Sequence, residues 1–313
     1  MESIGSPALW GAFTVGVLVL LALDLGVFHR KAHVVGYREA AIWSAVWIAL
    51  ALAFCAGVRS WFGPERAMEF LTGYLIEKSL SIDNIFIIMI IFSTFGVPAM
   101  YQHRVLFWGI LGALVMRAGF ILGGAALLSA FHWLIYVFGG LLLVTGIKLL
   151  VRKDETVDPR RNPFVGLFRR FFATTDEFAK ERFFIRSGAQ RKATPLFVAL
   201  LAVEATDVMM AIDSIPAVFA ITRDPFIVYT SNIFAILGLR ALFFLLAGML
   251  AKFVYLKVGL ALVLGFVGAK MLVIDFVKIP TALSLGIVCA LLGGSVAISL
   301  LRRPRTLPVT PAN

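Results

Sequence analysis

An all-α, polytopic transmembrane helical bundle is the fold class this chain predicts, on three observations. Of its 313 residues 60% are hydrophobic and 15% charged, too few polar groups to cover a water-soluble protein of this length. The apolar residues gather into runs about 20 residues long, the length of a membrane-crossing helix. The alternating short segments of a membrane barrel are absent, and a helix satisfies its own backbone in lipid.

Nine such runs follow one another: 8–28, 40–58, 68–97, 105–130, 132–151, 195–222, 226–250, 254–274 and 281–301. The first, apolar from about Pro7 to Val27, lacks a basic leader and reads as a span rather than a cleaved signal peptide. Residues 1–313 therefore read as a single transmembrane domain, with 281–301 as the last helix. The net charge of +11 would suggest nucleic acid in a soluble protein. Here the cations mark topology. With the basic loop 152–194 in the cytoplasm, alternation leaves 20 of the 29 Lys and Arg on the inner side and four, Arg59, Arg66, Arg223 and Lys278, on the outer side. The positive-inside rule then puts the N-terminus outside and the C-terminus in the cytoplasm. Within the loop, Phe164, Phe168, Arg169, Arg170, Phe171 and Phe172 mix rings and cations, as a segment lying on the anionic inner leaflet does. Cys55 and Cys289 stand alone in apolar runs and read as buried small residues, not as a disulfide or zinc pair.

The third and sixth spans share a pattern. Glu77 is followed by Ile-Asp83-Asn84, and Asp207 by Ile-Asp213-Ser214, at the same spacing. Ile110-Leu-Gly precedes Arg117 as Ile236-Leu-Gly precedes Arg240; Tyr136 leads to Lys148 as Tyr255 leads to Lys270. Spans 3–5 (68–151) thus match spans 6–8 (195–274). Three helices per copy make the copies inverted, an architecture of secondary transporters with the site at the repeat interface.

Glu77, Asp83, Glu204, Asp207 and Asp213 all fall within apolar spans. Each costs at least ~2.5–3.5 kcal/mol on insertion scales unless neutralised. Protons, the internal cations Lys78, Arg117 and Arg240, or a bound cation could neutralise them. Three fixed cations do not balance five acids, which points to a bound cation with partial pairing by the arginines. Lys148 and Lys270 lie nearer span ends, where snorkelling is expected. Six helical steps put Glu77 and Asp83 about 120° apart and about 9 Å along the axis, and Asp207 and Asp213 likewise. Either the helix breaks, as Pro216 would permit, or acids from opposite copies bind the ion together. Glu204 and Asp207, three apart, share a face. With Asn84 and Ser214 the donors are all oxygen, which suits Mg²⁺, Ca²⁺ and Mn²⁺. Met209 and Met210 are the nearest soft atoms, and a thioether ligand would favour Mn²⁺.

At these residues the chain resembles the TerC family of integral membrane proteins, its Alx branch in particular. The resemblance rests on Leu71-Thr-Gly-Tyr-Leu-Ile-Glu77-Lys-Ser-Leu-Ser-Ile-Asp83-Asn84, on Glu204-Ala-Thr-Asp207 and on Ala211-Ile-Asp213-Ser214-Ile-Pro, continuing to Arg240. It implies a bacterial inner-membrane protein that exports Mn²⁺, the ion being cargo rather than a resident cofactor. It also implies that Glu77, Asp83, Glu204, Asp207 and Asp213, with Asn84 and Ser214 beside them, hold the metal.

Alternating access, with protons taken up by the vacated acids, would make this a Mn²⁺/H⁺ exchanger; exchange of Ca²⁺ or another divalent ion is the alternative. No Walker-type loop appears, so neither ATP nor nucleic acid is an expected partner, whereas lipid and a divalent ion are. Two readings from other classes are a metal-sensing scaffold without flux and an intramembrane hydrolase. The second finds no Ser–His pair, and His29, His33, His103 and His132 all lie near loops, away from the acids. The chain is therefore read as a transporter, not an enzyme.

Overall fold

The computed structural model describes residues 3–23, 36–151, 174–175, 182–187, 190–246, 255–277 and 279–301. Helices dominate: α1 Pro7–Leu23, α2 Tyr37–Phe62, α3 Pro64–Thr94, α4 Ala99–Ala130, α5 Leu134–Val151, α6 Pro195–Phe219, α7 Pro225–Leu237, α8 Leu239–Leu246, α9 Leu256–Leu272 and α10 Thr281–Leu301. Between α5 and α6 runs an antiparallel hairpin, β1 Phe184–Ser187 with β2 Gln190–Ala193. The chain is an all-α polytopic membrane protein. Each expected span meets a helix or, for 226–250, the pair α7 and α8. Among the described residues, five helices are individually long and apolar enough to cross a bilayer, and the bent pair makes a sixth. The aromatic-basic residues 164–172 lie outside the described residues.

Local chemistry sets the joints. Gly63, at φ 91°, turns the chain between α2 and α3, a backbone that Gly adopts without strain, and Pro64 opens α3. Asp224 caps α7, its carboxylate accepting from the Phe226 N–H at 2.9 Å. Gly238 separates α7 from α8, which bend by 40°. There Lys78 Nζ donates to the Ala235 carbonyl at 3.2 Å, in the last turn of α7, where the helix dipole favours a cation.

The site depends on how the helices pack. α3 lies on α7 as α4 lies on α6, with α3 against α6 between them. The most extensive pairing is α5 with α9. Gly139 faces Gly268 and Gly146 faces Ala261, so the two helices run antiparallel with their backbones nearly touching. A Cβ on Gly268 would stand 2.7 Å from the Gly139 carbonyl oxygen and 2.8 Å from the Leu143 nitrogen. Gly268→Ala must part the helices and is expected to lower stability by about 1–3 kcal/mol, read as a fall in melting temperature of the detergent-purified protein. At one end of this pair, the Tyr136 hydroxyl and His132 hold the Asp275 carboxyl below the usual carboxylate range.

Three expectations about single side chains change. Cys289 is exposed on α10 rather than buried, and Cys55 is half-buried. Met209 is 58% exposed, outside the buried cluster around Arg117, whereas Met210 is half-buried. Lys270 does not snorkel: it is buried and donates to Ser284 Oγ at 3.0 Å. Helix rotation decides each case, and composition does not reveal it.

Candidate cation site

α3 runs unbroken through Glu77 and Asp83, and α6 runs unbroken through Pro216. Each carboxylate therefore keeps its helical bearing, without the helix break, and Glu77 of α3 and Asp207 of α6 face one another only through Arg117. Residues seven apart lie within about 20° of each other. Glu77 and Asn84 thus share one face of α3, and Asp207 and Ser214 one face of α6. Those two faces meet, with α4 and α7 closing the sides.

Arg117 of α4 stands at the meeting point, 1% exposed. Its Nε and Nη2 fork onto the two Asp207 oxygens at 3.3 and 2.9 Å. Its Nη1 donates to Glu77 Oε1, to Asn232 Oδ1 at 2.9 Å and to Ser214 Oγ at 3.3 Å. Asn232, on α7, is held by its own amide, which donates to the Val228 carbonyl at 3.0 Å. One guanidinium thus ties side chains from α3, α6 and α7 to α4. A planar fork suits this role where an ammonium would not.

The remaining predicted residues fall in different places. Glu204 sits one turn before Asp207, its carboxylate against Gly112 of α4, where any Cβ would overlap Glu204 Oε1. Asp213 faces α5 instead, where Thr145 Oγ1 donates to it at 3.3 Å and Lys148 adds its charge. Asp83 is half-buried, a third of a turn round α3 from Glu77. Lys78 binds a main-chain carbonyl, not a carboxylate, so its expected charge-balancing role is replaced by a helix-capping one. Arg240 is buried at the start of α8. Asn232, Thr145 and Gly112 were not among the expected site residues. An amide within the apolar run 226–250 is a signal that could have flagged Asn232; nothing in the sequence marks Gly112.

Among the described residues no three His, Cys, Asp or Glu side chains converge closely enough to hold a metal together. The physical reason is Arg117, which occupies the gap between Glu77 and Asp207. Yet it does not satisfy the site. Glu77 Oε2, Asn84 Oδ1 and Glu204 Oε2 are buried without a hydrogen-bond partner. Beside Asn84 and Asp207 lies a mainly apolar cavity of about 30 Å³, walled also by Ile88, Leu106, Val203 and Ile236, room for one or two waters or a small ion. Buried oxygens left unpaired are costly. One guanidinium set against Glu77, Asp207 and Glu204 leaves two negative charges when all three are ionised. The arrangement has the chemistry of a site for hydrogen-bond donors or a cation.

Comparison with known proteins agrees with this architecture. Residues 62–307 match the family described as integral membrane protein TerC. The chain is 56% identical over 311 residues to an uncharacterized membrane protein of Myxococcus xanthus, covering 99% of this chain and 97% of the other. It is 47% identical over 302 residues to a protein of Escherichia coli K12 provisionally named a membrane-bound redox modulator, Alx, covering 93% and 94%. A protein of the same name from Photorhabdus laumondii is 46% identical over 310 residues, covering 96% and 97%. No solved structure matches significantly. The chain belongs to the TerC family of integral membrane proteins.

Proposed function

We propose that this TerC-family protein is a secondary transporter that exports a divalent cation from the cytoplasm, Mn²⁺ first, in exchange for protons. One observation carries the reading: three oxygens in the helix junction around Arg117, Glu77 Oε2, Asn84 Oδ1 and Glu204 Oε2, are buried without a hydrogen-bond partner. Buried oxygen donors with excess negative charge suit a hard divalent ion. In this reading Arg117 is an internal stand-in cation. The ion enters beside Glu204 and Asn84, draws Asp207 or Glu77 off the guanidinium, and leaves toward the outer side as protons replace it. Oxygen donors alone accept Mn²⁺, Mg²⁺ and Ca²⁺, so the preference for Mn²⁺ rests on the family resemblance. Ca²⁺ is the second cation to assay.

The wider arrangement belongs to the same proposal: nine crossings, N-terminus outside and C-terminus in the cytoplasm of a bacterial inner membrane, with 68–151 and 195–274 as inverted copies. The packing supports the copies. Span 3 against span 7 mirrors span 4 against span 6, and the antiparallel α5–α9 contact joins the third helix of each copy. Asp83 and Asp213, equivalent under that symmetry and both off the Arg117 cluster, are then ligands of a second stage of the path.

Reconstituted vesicles test the reading. Mn²⁺ flux is expected with the protein and not without it, with protons moving the opposite way. Metal binding without flux would mean a sensor instead. The name of the relatives raises a redox role as the second reading, and the thiols bear on it. Cys55 Sγ, on α2, contacts the Ala67 carbonyl at 3.5 Å, and Cys289 is exposed on α10. The double variant Cys55→Ser/Cys289→Ser is expected to transport Mn²⁺ at the wild-type rate. Loss of flux in that variant would transfer the function to thiol chemistry.

A further inference from the structure

The β1–β2 hairpin is built into the end of the bundle rather than hung from it. Thr194, the residue before α6, donates its N–H to the Phe183 carbonyl at 2.9 Å and its Oγ1 to the Arg182 carbonyl at 2.8 Å. Rings anchor it further. Phe183 stands edge-on to Trp108 of α4 and to Phe197 of α6, with centroids 6.4 and 6.1 Å apart. Phe184 lies 4.5 Å from Phe197, and Arg104 sits 5.4 Å over Phe183. Trp108 and Phe184 are each nearly half exposed. Rings gathered at the ends of apolar helices mark the depth of the membrane–water interface.

Just beyond this ring layer the hairpin carries only one sign of charge. Residues 182–187 and 190–194 include Arg182, Arg186, Arg191 and Lys192 and no acid. The strand register sets Arg186 opposite Arg191 and Ile185 opposite Lys192. Like charges paired across strands destabilise a hairpin, and an anion beside Arg186 and Arg191 would relieve that pair. A sheet of phosphates at interface depth supplies one.

We propose that the β1–β2 hairpin is a docking surface for the phosphate groups of anionic lipids in the leaflet covering this end of the bundle. The rings set its depth, and the basic residues of the hairpin meet the headgroups. Nothing in this depends on which ion the central site takes.

The test uses the full chain in nanodiscs, read by amide hydrogen exchange of residues 182–194. Phosphatidylglycerol mixed with phosphatidylcholine is expected to slow exchange there about fivefold relative to phosphatidylcholine alone, with α3 and α4 unchanged. The variant Arg186→Gln/Arg191→Gln/Lys192→Gln is expected to exchange equally in both lipids while α3 and α4 exchange as in the wild type. Glycerol phosphate added to phosphatidylcholine discs is expected to give no protection. Equal wild-type exchange in both lipids, protection retained by the variant, or equal protection by the soluble phosphate would each overturn the proposal.

Discussion

Arg117→Met is expected to lower the stability of the purified protein by about 3–5 kcal/mol, the cost of stripping one partner from a buried ion pair. The side chain is nearly sealed from solvent, and it bonds to Glu77 and Asp207 at once. Removing it leaves both carboxylates among α3, α4 and α6 with no fixed cation. Arg117→Lys keeps the charge but not the fork onto Asp207 or the simultaneous reach to Asn232 and Ser214, so it should fall between methionine and the wild type. The decisive comparison is the triple variant Arg117→Met/Glu77→Gln/Asp207→Asn. Removing all three charges together should restore much of the stability lost by Arg117→Met, since neither Glu77 nor Asp207 is then left charged without its partner. Melting temperatures in detergent read all four proteins. If Arg117→Met melts with the wild type, the guanidinium is not the keystone of the four-helix junction.

The same cluster separates what a sequence reader can reach from what it conceals. Charges inside apolar runs are conspicuous because lipid makes them costly, so Glu77, Asp207, Arg117 and their neighbours stand out without any structure. Their pairing does not. Helical bearing shows that Glu77 and Asp83 cannot share a ligand. Which of them meets Arg117 depends on how α3 is rotated against α4, and only packing decides that. The expected equivalence of Asp83 and Asp213 to the central acids follows the same limit: spacing repeats, but each acid's neighbour is set by another helix. Spans are legible for the converse reason. Apolar length is a local property, and the bounds of α6 and α10 fall within a few residues of the predicted runs. The break at Gly238 is hidden, because glycine is common in membrane helices, and here Lys78 must reach the freed carbonyl to hold it. Gly112 is hidden too. It reads as a small residue in an apolar helix until Glu204 is found lying against it.

That contact carries the second large prediction. Glu204 has a buried oxygen with no hydrogen-bond partner and, unlike Glu77 and Asp207, no bond to Arg117. A residue kept for structure would be paired. A residue kept for a visiting cation would be left with an open acceptor, at some cost to the fold. Glu204→Gln should therefore move stability and function in opposite directions. It takes away a buried carboxyl that, when ionised, no fixed cation balances, and is expected to raise stability by about 1 kcal/mol. It also removes a metal donor, and Mn²⁺ flux in vesicles should drop by at least about tenfold, since even supporting residues of metal sites cost that much. Gly112→Ala makes the complementary change: the acid stays, but its seat against α4 is filled. Flux should fall as in Glu204→Gln, while overpacking costs about 1–3 kcal/mol. Two variants with the same loss of transport and opposite shifts in stability would tie transport to the position of this carboxylate. If Glu204→Gln instead destabilised the protein and left flux intact, the open oxygen would be structural, and the ion path would have to run elsewhere.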